Sequence, residues 1–369
     1  MTLTINSPLK DLGNAAGVEI GTAVNNEYLT DTAYTNLVNS QVDLIVADPY
    51  LDYAHISGHD KTRYETWFAE LIATAATSAG KDFHYHTLLW EETLPWMRPP
   101  NNPNGWWTGS FDDIAHAFAT CIALPKKFDD VAGSSLQTID VVNEPIEVWH
   151  FKPDGLRTQP DGFAIKMGKD YIKKAFELTR LFHPTKKLVL NEAHMDRGLL
   201  PVHGSENYVS PFGNGNDYGK DARLKFIELV RWLVAEGAPI DAIGLQSHLI
   251  VKSVENDRDF SFMTEFMDEL GTLVPEIYLS EFDVDARGIV NYENHAHRDW
   301  MVNATAKNYL DMMFAYPAVK RLVFWHMSEK YHAYGLDSYG TTYDQNMNAR
   351  GLRHTVAQCL LDRAAAQAS

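Results

Sequence analysis

Two glutamates that each follow a short apolar run are the residues of this chain best suited to catalysis. Glu144 lies in Thr-Ile-Asp-Val-Val-Asn-Glu-Pro at residues 138–145, and Glu281 lies in Ile-Tyr-Leu-Ser-Glu-Phe-Asp-Val at residues 277–284. Each is expected where a buried parallel strand gives way to a loop, the place where a (β/α)8 barrel carries its chemistry. Two carboxylates that face one cleft can hydrolyse a glycosidic bond, one as acid/base and one as nucleophile. For either residue alone, a structural hydrogen bond or salt bridge is the alternative.

Polar neighbours of the two glutamates strengthen the catalytic interpretation. Asn143 precedes Glu144, and its amide can hydrogen-bond a sugar hydroxyl while the acid protonates a leaving oxygen. Gln246 and His248 alternate at the end of another apolar run, so they share one face of a strand. We expect His248 to hydrogen-bond Glu281 and hold it as an oriented, ionised nucleophile. A satisfied core histidine is the alternative.

The pair His84 and His86 raises the question of a metal site, because alternate strand residues share a face. The sequence shows no clustered third ligand beside them and no His-Glu-x-x-His motif, so no metal is expected. His86, just before Thr-Leu-Leu-Trp, is a better candidate for contacting a sugar hydroxyl. No other cofactor is expected.

Aromatic residues are concentrated in the segments that follow predicted strands. Trp90, Trp106, Trp107 and Trp325 are the main ones, and Trp106 and Trp107 lie in a loop rich in Pro, Asn and Gly. Sugar rings stack on such side chains, so the pattern suits carbohydrate binding. Packing in the core is the alternative, and it is the better interpretation for tryptophans within predicted helices.

The elements that must position these residues alternate between short β-rich runs and amphipathic segments. The candidate strands are residues 18–24, 42–47, 83–90, 138–143, 187–191, 242–247, 277–280 and 322–326. The candidate helices between them are residues 64–79, 168–182, 222–236, 259–273 and 299–314. This alternation predicts an α/β fold with a parallel sheet, and eight units predict a single (β/α)8 TIM barrel with long βα loops. A doubly wound open sheet is the alternative, but no dinucleotide-binding or Walker-type glycine motif supports it.

The composition limits the class of partner. The 369 residues carry a formal net charge of −17, which argues against nucleic acid and anionic membranes and suits a neutral carbohydrate or glycoside. We expect one catalytic domain over residues 1–369, with a tail after Asp362 that frays. Cys121 and Cys359, the only cysteines, suggest buried free thiols rather than a disulfide framework. No apolar run is long enough to span a membrane, and the N-terminus lacks the features of a signal peptide. The protein is therefore expected in the cytoplasm, or secreted with its signal removed.

Taken together, these motifs resemble glycoside hydrolase family 10, the family of retaining endo-β-1,4-xylanases. The similar segments are residues 20–24, 86–90, 140–145, 168–176, 190–192, 239–249, 280–283, 325–330 and 343–350. The resemblance implies a TIM barrel in which Glu144 is the acid/base and Glu281 is the nucleophile. The substrate-binding candidates are Asp52, His86, Trp90, Glu91, Trp106, Trp107, Asn143, Gln246, His248 and Trp325.

The chain departs from the family's pattern around the sugar that lies beyond the cleavage site. The family has an Asn and a Lys after the second strand, where this chain has Pro49 and Asp52. The usual His-Ser-Gln after the third strand is Glu-Glu-Thr at residues 91–93, and a late Trp is missing, with His332 nearby. The resemblance thus implies a retained catalytic centre with an altered glycone pocket.

Hydrolysis of β-xylosidic bonds, in xylan or small xylosides, is the leading hypothesis. Its alternatives are a family member specific for another β-glycoside and a catalytically silent carbohydrate-binding barrel. A metal-dependent hydrolase would need ligands that the sequence does not reveal. Turnover of an aryl β-xyloside separates the enzymes from the silent barrel.

Overall fold

The structure is a computed structural model in which particular segments of the chain are described. They are residues 2–48, 67–90, 118–119, 121–123, 125–148, 154–157, 163–197, 210, 214, 217–251, 259–286, 295–332 and 340–368.

A ring of eight parallel strands is the centre of the fold. The strands of the sheet are β1 (Glu19–Val24), β2 (Leu44–Ala47), β3 (Asp82–Tyr85), β4 (Leu89–Trp90), β5 (Leu136–Asn143), β6 (Lys187–Glu192), β7 (Ala242–Leu245), β8 (His248–Ile250), β9 (Glu276–Asp285) and β10 (Val319–Phe324). The strand order is β1-β2-β3-β5-β6-β7-β9, and β10 pairs with both β9 and β1, which closes the ring. The two short strands extend it, since β4 pairs with β5 and β8 pairs with β9. The fold is a (β/α)8 barrel, as the sequence predicted.

Helices alternate with these strands along the chain. They are α1 (Leu9–Ala15), α2 (Glu27–Thr30), α3 (Thr32–Gln41), α4 (Trp67–Ser78), α5 (Pro125–Val131), α6 (Phe163–Met167), α7 (Asp170–Phe182), α8 (Tyr218–Ala235), α9 (Thr264–Leu273), α10 (His295–Phe314) and α11 (Gly351–Ala368). The strands are buried along nearly their whole length, as expected for a parallel sheet that is covered on both faces. None of the helices described is long and apolar enough to cross a membrane.

The chain divides into two compact units. The first contains Met1–Ile45, Ala193–Gly198 and Leu245–Ser369, and the second contains Val46–Glu192 and Leu199–Gly244. Glu281 belongs to the first unit and Glu144 to the second. The expectation of one catalytic domain stays a prediction.

All eight predicted strands are present, but several have different bounds. The predicted third strand is two strands, β3 and β4, because the backbone leaves the sheet between Tyr85 and Leu89. The predicted sixth strand ends at Leu245, since Ser247 adopts a left-handed backbone with φ 64° before β8 begins. β9 is longer than predicted and runs to Asp285, so Glu281 and Asp283 lie within the strand rather than after its end.

The expectation that the tail frays is wrong, because α11 continues to Ala368. Arg363 is buried and donates from Nε to Ala16 O at 3.0 Å, from Nη1 to Phe314 O at 3.0 Å and from Nη2 to Val319 O at 2.8 Å. Gln367 also donates to Ala16 O at 3.1 Å. These contacts hold the last turns of an alanine-rich helix in place, and alanine is the best helix former.

Candidate active site

Glu144 lies directly after β5, in a conformation that few non-glycine residues adopt. Its φ of 50° is in the left-handed region, and its N–H donates to Asn191 O on β6 at 2.9 Å. Such a conformation costs about 1–3 kcal/mol and persists where the surrounding structure enforces it, often at functional sites. The carboxyl group is partly exposed, at 13%. The end of β5 therefore turns the Glu144 side chain out of the strand register.

The Glu144 carboxylate has two partners on one of its oxygens. Trp90 Nε1 donates to Oε2 at 3.2 Å, and Arg157 Nη2 lies 3.0 Å from the same atom. Arg157 also donates from Nε to the Glu144 carbonyl at 2.8 Å, so the guanidinium grips both the backbone and the side chain. A nearby cation stabilises the ionised form of a carboxyl group.

Arg157 was not among the site residues predicted from the sequence. A short antiparallel pairing brings it back to the strand end: Ile146 bridges Leu156, and Arg157 N–H donates to Pro145 O at 2.7 Å. Gly155 precedes this pairing with a φ of 68°, where a side chain would also collide with Lys225. The Gly is a turn signal, but nothing in the sequence indicates which strand end the turn would meet.

Asn143, the last residue of β5, is buried and oriented by a second amide. Asn191 Nδ2 donates to Asn143 Oδ1 at 2.9 Å. With Oδ1 accepting this bond, the Asn143 amide nitrogen is the group placed to donate to a hydroxyl. This orientation agrees with the predicted sugar contact, which stays a prediction.

His86 lies in a buried cluster with His84 on β3 and Asp140 on β5. Asp140 Oδ2 is 2.8 Å from His84 Nε2 and 2.7 Å from His86 Nδ1, and His84 Nδ1 is 2.5 Å from Thr138 Oγ1. Burial alone would raise the pKa of Asp140, but the two histidines outweigh it and hold that pKa well below its usual range. An ionised Asp140 accepts hydrogen bonds, which fixes the rings of both histidines.

Among the described residues, the same three side chains form a group that could hold a metal ion, since their ligand atoms lie within 4.8 Å of one another. The third ligand was not evident from the sequence because Asp140 lies on the neighbouring strand, more than fifty positions along the chain from both histidines. Hydrogen bonds already account for the contacts that bring the three together. The expectation that the enzyme needs no metal stays a prediction.

Glu281 and Asp283 are alternate residues of β9 and bind one histidine between them. His248 Nε2 lies 3.1 Å from Glu281 Oε2, and His248 Nδ1 lies 3.0 Å from Asp283 Oδ2. Glu281 N–H donates to the Gln246 carbonyl at 2.9 Å, which fixes the start of β8 against β9. The predicted contact between His248 and Glu281 is therefore present.

The opposite charges of His248 and Asp283 each stabilise the ionised form of the other. Desolvation would lower the pKa of His248, but Asp283 and then Glu281 outweigh it and raise that pKa well above its ordinary value. Burial would raise the pKa of Asp283, yet His248 and His332 lower it to about 2. At neutral pH, His248 is thus an imidazolium ion between two carboxylates.

Trp325 borders the Glu281 group. It follows β10, and its ring is edge-on to His248, with centroids 6.3 Å apart and an interplanar angle of 85°. The backbone N–H of Trp325 donates to Phe282 O at 3.0 Å. Gln246 is buried beside the same strand end. The structure therefore brings Gln246, His248, Glu281 and Trp325 together within one unit.

Several predicted site residues lie outside the described part of the chain. They are Asp52, Glu91, Trp106 and Trp107. Their roles in substrate binding stay predictions from the sequence.

Comparison with known proteins identifies relatives of the whole chain. The family model described as glycosyl hydrolase family 10 matches residues 8–210 and 213–359. Endo-1,4-beta-xylanase A of Thermoanaerobacterium saccharolyticum is 26% identical over 71% of this chain and 20% of that protein. Exoglucanase XynX of Acetivibrio thermocellus is 24% identical over 89% of this chain and 27% of that protein. The chain thus spans about a quarter of the length of these two curated relatives.

Solved structures agree on the fold. Xylanase 10B from Thermotoga maritima has a TM-score of 0.75 at 20% identity, covering 97% of this chain and 99% of the other. An intracellular xylanase mutant from Thermoanaerobacterium saccharolyticum, in complex with xylotriose, has a TM-score of 0.74 at 21% identity, covering 96% and 100%. At this level of identity the likeness establishes the fold of the chain.

Proposed function

The chain belongs to glycosyl hydrolase family 10, and on that premise we propose that it hydrolyses β-xylosidic bonds with retention of the anomeric configuration. One observation carries the proposal. Glu281, on β9 of the barrel, is paired with an imidazolium that a second carboxylate supports. This arrangement orients the Glu281 carboxyl group, as a nucleophile requires. The xylanases among the relatives supply the substrate class.

In the first step, a Glu281 carboxylate oxygen attacks the anomeric carbon of the sugar. The bond between that carbon and the leaving oxygen breaks as Glu144 gives its proton to the leaving oxygen. The products are a glycosyl ester on Glu281 and the free aglycone alcohol. His248 is bonded to one carboxylate oxygen of Glu281, so it fixes the plane of the attacking group.

In the second step, Glu144 acts as a base. It takes a proton from water, whose oxygen attacks the anomeric carbon and displaces the Glu281 carboxylate. Arg157 and Trp90 both bind Glu144 Oε2, and both favour the ionised carboxylate that this step needs. Two inversions restore the β configuration, and both glutamates return to their starting states.

Azide rescue tests the two roles separately. Glu281→Ala should abolish turnover of an aryl β-xyloside, and added azide should restore reaction with an α-xylosyl azide as product. Glu144→Ala should react slowly with poor leaving groups, because activated aryl groups need little protonation, and with azide it should yield the β-azide. Equal losses for all leaving groups would show that Glu144 is not the acid.

Stereochemistry gives an independent test. The first product detected by NMR should be the β anomer, and a crystal structure should place the two carboxyl groups about 5–5.5 Å apart. Initial α product, or a separation of about 9 Å, would contradict the double displacement. A catalytically silent barrel would bind xylo-oligosaccharides without turnover of any xyloside.

A further inference from the structure

A second histidine lies against the carboxylate that supports the Glu281 group. His332, in the segment after β10, has its Nε2 3.0 Å from Asp283 Oδ2, and both side chains are almost completely buried. The pKa of Asp283 is about 2, so the carboxylate is ionised and can only accept. His332 must therefore carry a hydrogen on Nε2, and this N–H donates a hydrogen bond to Asp283.

The chain of contacts runs from His332 through Asp283 and His248 to Glu281. Both histidines use the same oxygen, Asp283 Oδ2, while Oδ1 is buried without a hydrogen-bond partner among the described residues. The orientation of the Asp283 carboxylate toward His248 therefore depends on the hydrogen bond that His332 donates.

Close contacts hold the backbone at His332 and the strand that carries Asp283. His332 N–H and Tyr331 N–H both donate to Ser328 O, at 3.1 and 3.0 Å, which forms a tight turn. Gly340 passes so close to β9 that a Cβ there would lie 1.5 Å from Val284 O, next to Asp283. A side chain on a turn anchored in this way loses little entropy when it forms its hydrogen bond.

We propose that His332 is a positioning residue for the nucleophile, acting through Asp283 and His248 on Glu281. This inference rests on the proposed function, because it assigns a part in the same glycosylation step. When Glu281 becomes an ester it loses its negative charge, and Asp283 alone then balances the His248 imidazolium. The His332 bond holds Asp283 in place for both states.

The charged groups around Asp283 come from several elements. His248 faces it from β8 and His332 from the turn after β10. After β6, Asp196 contributes a buried carboxyl group and Arg197 a cation. Tyr309 of α10 also interacts electrostatically with Asp196. Because the hydrogen bond from His332 lowers the pKa of Asp283, its removal raises the pH at which Asp283 takes up a proton.

A pair of variants of nearly equal size tests the role of the donor. His332→Gln keeps an N–H donor, whereas His332→Met has similar volume and none. In His332→Met, we expect kcat for an aryl β-xyloside to fall about ten-fold with KM almost unchanged, since one hydrogen bond to a charged group is lost. The acidic limb of its pH–rate profile should move up by about one pH unit. His332→Gln should restore most of both properties.

Two controls make the outcome specific. His183→Met removes another buried histidine, at the end of α7 in the other unit, and should leave the acidic limb in place. If His332→Met does not fold by circular dichroism, ¹⁵N NMR of the wild-type enzyme replaces it. His332 should then show the tautomer protonated at Nε2, and its signal should shift when a 2-fluoroxyloside traps Glu281 as an ester.

Failure of this inference differs from failure of the proposed function. If the wild-type enzyme neither hydrolyses the aryl xyloside nor forms an ester on Glu281, the proposed function is wrong. If the wild-type enzyme does both, the positioning role is overturned by either of two results. One is an acidic limb in His332→Met that matches the wild type, and the other is a His332 signal that trapping leaves unchanged.

Discussion

At the scale of single residues, Arg157 is the side chain that most directly tunes the proposed acid/base. It binds the Glu144 backbone with one nitrogen and the carboxylate with another, so it sets both the position and the charge of the group. A lysine can reproduce one of these contacts, because arginine alone offers a rigid fork of donors. The acid gives up its proton in the first step and is ionised for the second. A partner that favours the ionised form assists this transfer and also lowers the pH above which the starting acid is deprotonated.

The first prediction follows from this double contact. Arg157→Met should lower kcat on an aryl xyloside with a poor leaving group about 10–100-fold, since it leaves a partly buried carboxylate without its cation. Its alkaline limb should move to higher pH, because Glu144 then holds its proton more tightly. Arg157→Lys should lie between this variant and the wild type.

Arg180→Met is the matched control for this prediction. It removes an ion pair between α7 and Asp241, the residue before β7, and it should leave kcat unchanged. A loss in Arg157→Met that is equal for good and poor leaving groups would show that Arg157 acts on folding alone.

The second prediction concerns stability and pH at His248. Its pKa in the folded protein is well above the ordinary 6.5, so its stabilising contribution is complete below about pH 6.5 and is lost as the pH rises through the raised value. The free energy of unfolding of the wild type should therefore exceed that of His248→Gln more at about pH 6 than at about pH 10. Urea denaturation at both pH values measures this, and a difference that stays constant would contradict it.

The contribution of Asp283 to stability changes with pH in the opposite direction. Its pKa falls from 3.8 in the unfolded chain to about 2, so its contribution is present above about pH 4 and is lost as the pH falls through about 2. The two groups belong to one cluster, so their effects overlap rather than add. The cluster is most stabilising across the mildly acidic and neutral range, where Asp283 is ionised and His248 is protonated.

At the scale of elements, the third prediction concerns α11. Arg363 donates four hydrogen bonds from a buried position to carbonyls of the N-terminal segment and of the chain around β10. Arg363→Met should lower the free energy of unfolding by about 3 kcal/mol, because four carbonyls lose a charged donor. Gln358→Ala removes an exposed bond to Asp362 on the same helix and serves as the control. If thermal unfolding shifts equally in both variants, α11 is not anchored by Arg363.

The order of elements was predictable from the sequence, because apolar runs recur eight times with amphipathic segments between them, a pattern that favours a parallel barrel. Strand ends were less predictable. The division of the third strand and the turn at Ser247 depend on backbone angles that tertiary contacts impose. The tail of α11 was misjudged because an Ala/Gln composition does not reveal that Arg363 is buried.

The candidate site shows the same limit. Glu144 follows β5, His248 begins β8 and Glu281 lies on β9, where position and residue type together indicate chemistry. Arg157, Asp140 and His332 act through contacts between segments that are distant in sequence. An Arg in a loop or a His after a strand has no periodic signal, so the residues that tune the catalytic groups were found only from the fold.

At the scale of the whole molecule, charge and loops together bear on which substrate is accepted. The net charge of −17 gives no attraction to a neutral sugar chain, so recognition depends on the loops at the strand ends. Those loops carry the chain's departures from the family it resembles. Pro49 and Asp52 stand where the family has an Asn and a Lys that donate to the second glycone sugar, and both lie outside the described residues.

The last prediction is that the enzyme binds essentially one glycone sugar. An ionised Asp52 can only accept hydrogen bonds, and Pro49 has no side-chain donor. Each lost donor should remove about 1–3 kcal/mol of binding to the second sugar. An aryl β-xyloside and the corresponding aryl xylobioside should therefore have similar kcat/KM, and polymeric xylan should be a poor substrate.

The variant Asp52→Lys gives this prediction a direct contrast, since it returns a donor to the position that lost one. It should raise kcat/KM for the aryl xylobioside while leaving the value for the aryl xyloside nearly unchanged, because in the family that the chain resembles the donor binds the second sugar. A wild-type enzyme that already prefers the xylobioside or the polymer by a large factor would show that other residues have rebuilt the second sugar site. The residues at positions 49 and 52 would then differ from those of the family without reducing the number of glycone sugars that the enzyme binds.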